Sequence, residues 1–222
     1  MPWFQSYTGK AIDLDHPTPD VVDIEDIAHS LSLQCRFIGH CKEFYSVAEH
    51  SVNVSILTAS NCVRDGIMTH RLADEILAGL LHDAAEAYIG DIMTPIKQVV
   101  TNFHARHNKN EILGGNQGYY EVPIDALKML EWDWLRVIGE KFGLGASLTD
   151  LPPSVKISDR LMLENEVVML LPNPLPGWKI APGHGKGDHQ RILGLINCLS
   201  PAQARLSYLN SFHSLQWQRN NI

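Results

Sequence analysis

Apolar residues recur along this chain at intervals of three and four, and no segment alternates with the period of two that a half-buried strand would show. The pattern predicts an all-α fold. Asp23 is placed to cap a first helix carrying Ile24, Ile27, Ala28, Leu31 and Cys35 on one stripe. Ser46 and Glu49 in "SVAE" form a capping box for a second helix, amphipathic through Val47, Val54 and Leu57. A third runs from about Arg71 to Tyr88, with Gly90 as a left-handed C-cap, and Thr94 with Pro95 reads as the N-cap and first turn of the next. From about 102 to 120 the pattern lapses into a polar stretch with paired glycines, expected to be an irregular excursion. A long helix follows from about Pro123 to Phe142, ended by Gly143, and another after Pro153 bears Val155, Met162 and Met169. The segment from about 172 to 188 is too rich in Pro and Gly for regular structure. Ser200, Pro201 and Gln203 then open a C-terminal helix bearing Leu206, Leu209 and Phe212.

Ionisable groups interrupt three of these apolar stripes. His50 lies three residues after Val47 and four before Val54; Asp159 lies four after Val155 and three before Met162. His82 and Asp83 sit beside Leu80 and Leu81, in "ILAGLLHDAAEAYIGD". One such residue is ordinarily a core group satisfied by hydrogen bonds. Two imidazoles and two carboxylates from three helices instead make a cation site inside a bundle. Nitrogen and oxygen donors together suit one divalent transition metal, Zn, Mn, Co, Ni or Fe, better than a purely hard ion. Glu86 projects over the same face, placed to take a proton from water that the ion activates, and Asp91 on the connection after Gly90 is placed to orient that water or a leaving group.

Composition narrows the partners. The chain has 222 residues, 45% of them hydrophobic, which suits one domain spanning 1–222. A formal charge of −7 argues against a nucleic-acid binder. No run approaches a membrane span and the N-terminus lacks a signal-peptide core, so a cytoplasmic protein without membrane attachment is expected. Cys35, Cys41, Cys62 and Cys198 match no CxxC pair and are expected to be reduced thiols.

The ordered motifs "AEHS", "LLHDAAEAYIGD" and "KISDR" resemble the H…HD…D signature of the HD-domain metal-dependent phosphohydrolases, over about Ile24 to Met169. Within that superfamily, "DIEDIAHSLSLQCRFIGHCKEFYSVAEHS" is similar to the small bacterial 5'-deoxynucleotidases and, more closely, to phage-type enzymes that include dATP triphosphohydrolases. The resemblance implies an HD-domain helical bundle with His50, His82, Asp83 and Asp159 as metal ligands, and Glu86 and Asp91 as catalytic residues. It implies that Arg36 faces substrate phosphates, with Phe37 where the bacterial enzymes carry a tryptophan against the sugar; Lys97 is a weaker phosphate candidate. Mg can arrive with the substrate's phosphates. His104 and His107 read as surface residues, while Tyr119 and Tyr120 could stack on a base or anchor a loop. The function expected is hydrolysis of a deoxynucleotide, with dATP to deoxyadenosine and triphosphate preferred on resemblance, and phosphate release from deoxynucleoside monophosphates as the alternative. A di-iron oxygenase and a non-catalytic, metal-stabilised interaction protein are the lesser readings. Homo-oligomerisation is expected from the same resemblance.

Overall fold

The computed structural model describes residues 3–66, 70–112, 125–175, 178, 192 and 194–221. Helices dominate: α1 (Ile24–Leu33), α2 (Val47–Arg64), α3 (His70–Leu81), α4 (Glu86–Ile89), α5 (Thr94–Ile112), α6 (Ala126–Lys141), α7 (Pro153–Leu170) and α8 (Pro201–Asn220). The all-α expectation holds, with one addition. β1 (Trp3–Gln5) and β2 (Ala11–Asp13) form an antiparallel hairpin in the register Trp3↔Asp13, Phe4↔Ile12, Gln5↔Ala11. Three-residue strands are too short to display alternation, and this pair is held from outside: Thr8 donates to both carboxylate oxygens of Asp26 on α1.

The centre of the bundle is α2, packed against α3, α7 and α8. Its polar residues Glu49, His50, Ser51, Asn53, Ser55, Thr58 and Asn61 are buried, so most must find partners inside the protein. Half of the predicted capping box forms, since the Ser46 hydroxyl accepts from the Glu49 amide. The reciprocal half does not. Glu49 accepts instead from the amides of Asn197 and Leu199, each at 2.7 Å, which fastens the connection before α8 to the first turn of α2. At α8 the full capping box of Ser200 and Gln203 is present. Tyr208, Phe212 and Leu215 of α8 enter the core, with the Tyr208 hydroxyl donating to the Leu80 carbonyl.

Three further predictions are revised. The helix expected over 71–88 stops at Leu81, residues 82–85 form turns, and α4 follows. Gly90 does have a positive φ of 86°, but with ψ 155° it is extended and not a left-handed cap. The polar stretch expected to be irregular from 102 continues α5 to Ile112, so His104 and His107 lie on helical backbone; Tyr119 and Tyr120 fall outside the described residues, as does most of the Pro/Gly-rich segment. Cys35 lies beyond the end of α1, and the four cysteines are free thiols. No helix among the described residues is long and apolar enough to cross a membrane.

At Gly79 the α3 backbone lies close against α2. A β-carbon there would lie 2.8 Å from the Thr58 hydroxyl oxygen and 3.3 Å from the Ser55 α-carbon. Gly79→Ala should therefore destabilise the fold by about 1–3 kcal/mol, although alanine is intrinsically the better helix former by about 1 kcal/mol. Urea denaturation of both proteins checks this, and equal or greater stability of the variant would refute the close-packing account.

Candidate functional site

Gly79 brings α3 against α2 one turn before His82, and the end of α3 at Leu81 frees the next two residues from helical spacing. Adjacent positions on a regular helix diverge by about 100°. The turn at 82–85 lets His82 and Asp83 face one point together. His50 Nε2 and His82 Nε2 are 3.3 Å apart. Asp83 Oδ2 lies 3.6 Å from the first and 3.2 Å from the second; Asp159 Oδ1 lies 3.2 and 3.6 Å from them in turn. All four predicted ligands thus meet. One departs from its expected setting: the Asp159 side chain is 42% exposed, at the mouth of the cluster and not on a buried stripe.

The other ring nitrogens show what the cluster suits. His82 Nδ1 faces the Gly79 carbonyl at 2.9 Å and must donate to it; His50 Nδ1 faces Glu166 Oε1 at 2.6 Å. Both protons being committed there, two Nε2 lone pairs point toward each other beside two carboxylates. Ligand atoms about 2.1 Å from one ion lie roughly 3.0–3.4 Å apart, and the two imidazole nitrogens stand 3.2–3.6 Å from the carboxylate oxygens. Among the described residues, His50, His82 and Asp83 form the one group of three or more His, Cys, Asp or Glu able to hold an ion, with Asp159 reaching the same nitrogens.

Glu166 was missed in the sequence, though a signal existed: it lies seven residues after Asp159, two turns along the same face of α7. It is fully buried, and its second oxygen accepts from Arg36 Nε at 3.1 Å. Burial opposes its charge, but Arg36 and His50 hold its carboxyl below the usual range. Arg36 Nη1 also stands 3.7 Å from Asp83 Oδ2. The turn Arg36–Gly39 that presents this guanidinium carries φ values of 55° at Phe37 and 54° at Ile38, a left-handed conformation unfavourable for a β-branched residue. Phe37 is buried, its ring 6.2 Å from that of Trp178, so it stands beside Arg36 without entering the ligand cluster. Lys97 forms an ion pair with Glu131 on α6 and likewise stays outside.

Glu86 is buried with Oε2 lacking any hydrogen-bond partner. Burial, reinforced by the charges of Asp83 and Asp91, pushes its carboxyl well above the usual range. Burial also raises Asp91, against the opposing charge of Arg36. Asp83 behaves oppositely: burial disfavours its charge, yet His82 draws it down to about 2. Two neighbouring carboxyls are thereby poised to carry a proton while a third stays ionised.

The comparisons agree with this geometry. Residues 39–124 match the family model described as 5'-deoxynucleotidase YfbR-like. The uncharacterized protein YfdR of Escherichia coli (strain K12) is 32% identical over 166 residues, covering 75% of this chain and 71% of YfdR. This chain is an HD-domain phosphohydrolase of the YfbR-like family. An uncharacterized protein of Rhodobacter capsulatus, RCAP_rcc00048, is 41% identical over 100 residues, or 44% of this chain and 48% of that protein. Phosphohydrolases of this family are metal-dependent, which accords with the donor cluster.

Without an ion, both histidines hold their protons more tightly than usual. Burial works against charge on each, but Asp83 and Asp159 raise His82 well above 6.5, and Glu166 with Asp159 outweighs burial and Arg36 at His50. A histidine raised in the folded state contributes stability that is present below its unfolded value and lost as pH rises through the folded one. The metal-stripped protein should therefore lose thermal stability as pH climbs above about 6.5. An ion competes with those same protons, so the gain in midpoint on adding Mn(II) should grow over that range. A gain independent of pH would show that the imidazoles are not ligands.

Proposed function

We propose that the protein is a 5'-deoxynucleotidase that releases phosphate from deoxynucleoside monophosphates, with His50, His82, Asp83 and Asp159 holding one divalent transition metal. The observation that carries the reading is the convergence of four ligand atoms beside a buried carboxyl whose Oε2 has no other partner. When bound, the ion supplies Lewis acidity that makes a water nucleophilic near neutral pH and polarises a phosphoryl oxygen. Glu86 takes the proton of the attacking water. Burial and the charges of Asp83 and Asp91 oppose its ionisation, and a cation held by the four ligands would offset those charges and free the carboxylate to act. Arg36, fixed by Glu166, offers its remaining guanidinium donors to the phosphate. Asp91 is suited to deliver a proton to the departing sugar oxygen.

Charge favours a monophosphate over the triphosphate preferred from the sequence. Around the cluster stand Asp83, Glu86, Asp91, Asp159 and Glu166, against Arg36 and Lys97 among the described residues, and each of those cations is already paired. The family description points the same way. Hydrolysis of dATP to deoxyadenosine and triphosphate is the second reading, supported by the resemblance of residues 23–51 to phage-type enzymes; it needs Mg brought with the phosphates. Phe37 then forms a wall beside the guanidinium in either case, and Lys97 can reach phosphate only by leaving Glu131.

An assay of the Mn(II)-loaded protein against the deoxynucleoside monophosphates and triphosphates should release phosphate from the former. Liberation of deoxyadenosine from dATP alone would select the second reading. Glu86→Gln should lower kcat by about 10²–10⁴-fold with the ion retained. A variant that kept both ion and turnover would remove Glu86 from the chemistry.

A further inference from the structure

Helix α4 has four residues, too few to form a stable helix by itself, yet it and the residue two beyond it carry both carboxyls assigned to proton transfer. Tyr88 stacks on Trp134 of α6, with ring centroids 4.1 Å apart, and the polar hold on the two ends of α4 runs through α1. Gln34, which caps the C-terminus of α1, donates from Nε2 to the Glu86 carbonyl at 2.9 Å and accepts at Oε1 from the Asp91 amide at 2.8 Å. The second Nε2 hydrogen goes to the Ser30 hydroxyl at 3.0 Å, and that hydroxyl donates to the Ala87 carbonyl at 3.0 Å. The orientation of the amide is set by its partners, since only its nitrogen can serve a carbonyl and only its oxygen an N–H.

The same residue reaches the rest of the site through the backbone. Its carbonyl accepts from the Val47 amide at the start of α2, the helix that carries His50. Two residues further on stands Arg36. One residue therefore ties the element bearing Glu86 and Asp91, through its side chain, to the segment bearing the guanidinium and the helix bearing His50, through its backbone. A cavity of about 480 Å³ lies alongside, lined by Gln34, Glu86 and Gly90 together with Tyr7 and His29, so water can take the place of a lost clamp and α4 would loosen without the core collapsing.

We propose that Gln34 is a positioning residue, which fixes Glu86 and Asp91 relative to the metal ligands and Arg36 by clamping both ends of α4. This rests on the reading above for the roles of those two carboxyls. Gln34 touches neither substrate nor ion; it acts through Glu86 and Asp91, and a displacement of about 1 Å in such groups can cost 10²-fold in rate.

Two variants test it. Gln34→Met removes every polar contact of the side chain at similar length, and Gln34→Glu keeps an acceptor for the Asp91 amide but sets a carboxylate oxygen against the Glu86 carbonyl. In both, hydrogen exchange of amides 86–91 should quicken by at least about tenfold while those of α2 are unchanged. The ion content should stay at the wild-type value, KM should move less than about threefold and kcat should fall about tenfold or more. Because Gln34 acts through Glu86, Gln34→Met combined with Glu86→Gln should be within about twofold of Glu86→Gln alone. Unchanged exchange at 86–91 would overturn the proposal, as would full multiplication of the two kinetic losses, or wild-type kcat in an active enzyme. Should neither variant fold, the wild-type protein decides: an Asp91 amide exchanging as fast as an exposed loop would refute the clamp, and a protected one would uphold it. Absence of nucleotide hydrolysis by the wild type would defeat the functional reading, while the exchange data would still judge the clamp.

Discussion

The site is governed by where two imidazoles put their Nδ1 protons. His82 gives its proton to the Gly79 carbonyl and His50 gives its own to Glu166, so neither ring can turn to use Nε2 as its donor without stranding a buried acceptor. Two lone pairs are thereby pressed to 3.3 Å from each other inside the bundle. Such an arrangement repels unless a proton or a cation stands between the nitrogens. The neighbouring Asp83 and Asp159 favour either occupant, which is why ion binding and proton binding are coupled here. Glu166 extends the same constraint outward, because its other oxygen fixes Arg36. A single buried carboxylate thus orients the His50 ring and the Arg36 guanidinium at once.

Backbone geometry is shaped around that requirement. A β-carbon at position 79 would crowd Thr58 and Ser55, so glycine there suits the close packing of α3 on α2. The break after Leu81 gives up continuous helix so that His82 and Asp83 can converge. The left-handed residues Phe37 and Ile38 cost about 1–2 kcal/mol each. Contacts on both sides offset that strain: the Arg36 amide donates to the Tyr45 carbonyl, the Cys41 thiol to the Arg36 carbonyl, and the Lys42 amide to the Leu170 carbonyl. Strain of this kind persists where surrounding structure over-determines it, and here it borders Arg36.

Much of this was legible in the sequence because the relevant signals are local. Helical periodicity located α1, α2, α6, α7 and α8, and Asp23 and Ser200 cap as their residue types predict. His50, His82, Asp83 and Asp159 were conspicuous as polar residues on apolar stripes. What was not legible depends on partners distant in sequence. Glu49 looked like half of a capping box, yet two amides near residue 198 compete better for its carboxylate. Glu166 looked like one polar residue among others in "ENEVV", and only the fold reveals that it faces His50 across 116 positions. The hairpin was invisible since its three-residue strands depend on Asp26, and the break at 82–85 because the segment's composition reads as continuous helix.

The balance of charge bears on the proposal that this cluster acts with a cation and not as a set of acids and bases alone. Five carboxyls crowd the site, and the nearby Arg36 and Lys97 are each engaged by one of the protein's own anions. When no ion is bound, protons on His50 and His82 offset that charge, and the two imidazoles are then spent on balancing Asp83 and Asp159. Glu86 could not act as a base while its carboxyl is held protonated by burial and by Asp83 and Asp91. On the proposed reading, His50, His82, Asp83 and Asp159 would hold a divalent cation in place of those protons. Its charge beside Asp83 would lower the cost of ionising Glu86, and its Lewis acidity would serve an anionic ligand beside Arg36. Substrate binding and activation of the base would then follow from one event, with the unpartnered oxygen of Glu86 as the group left free to exploit it.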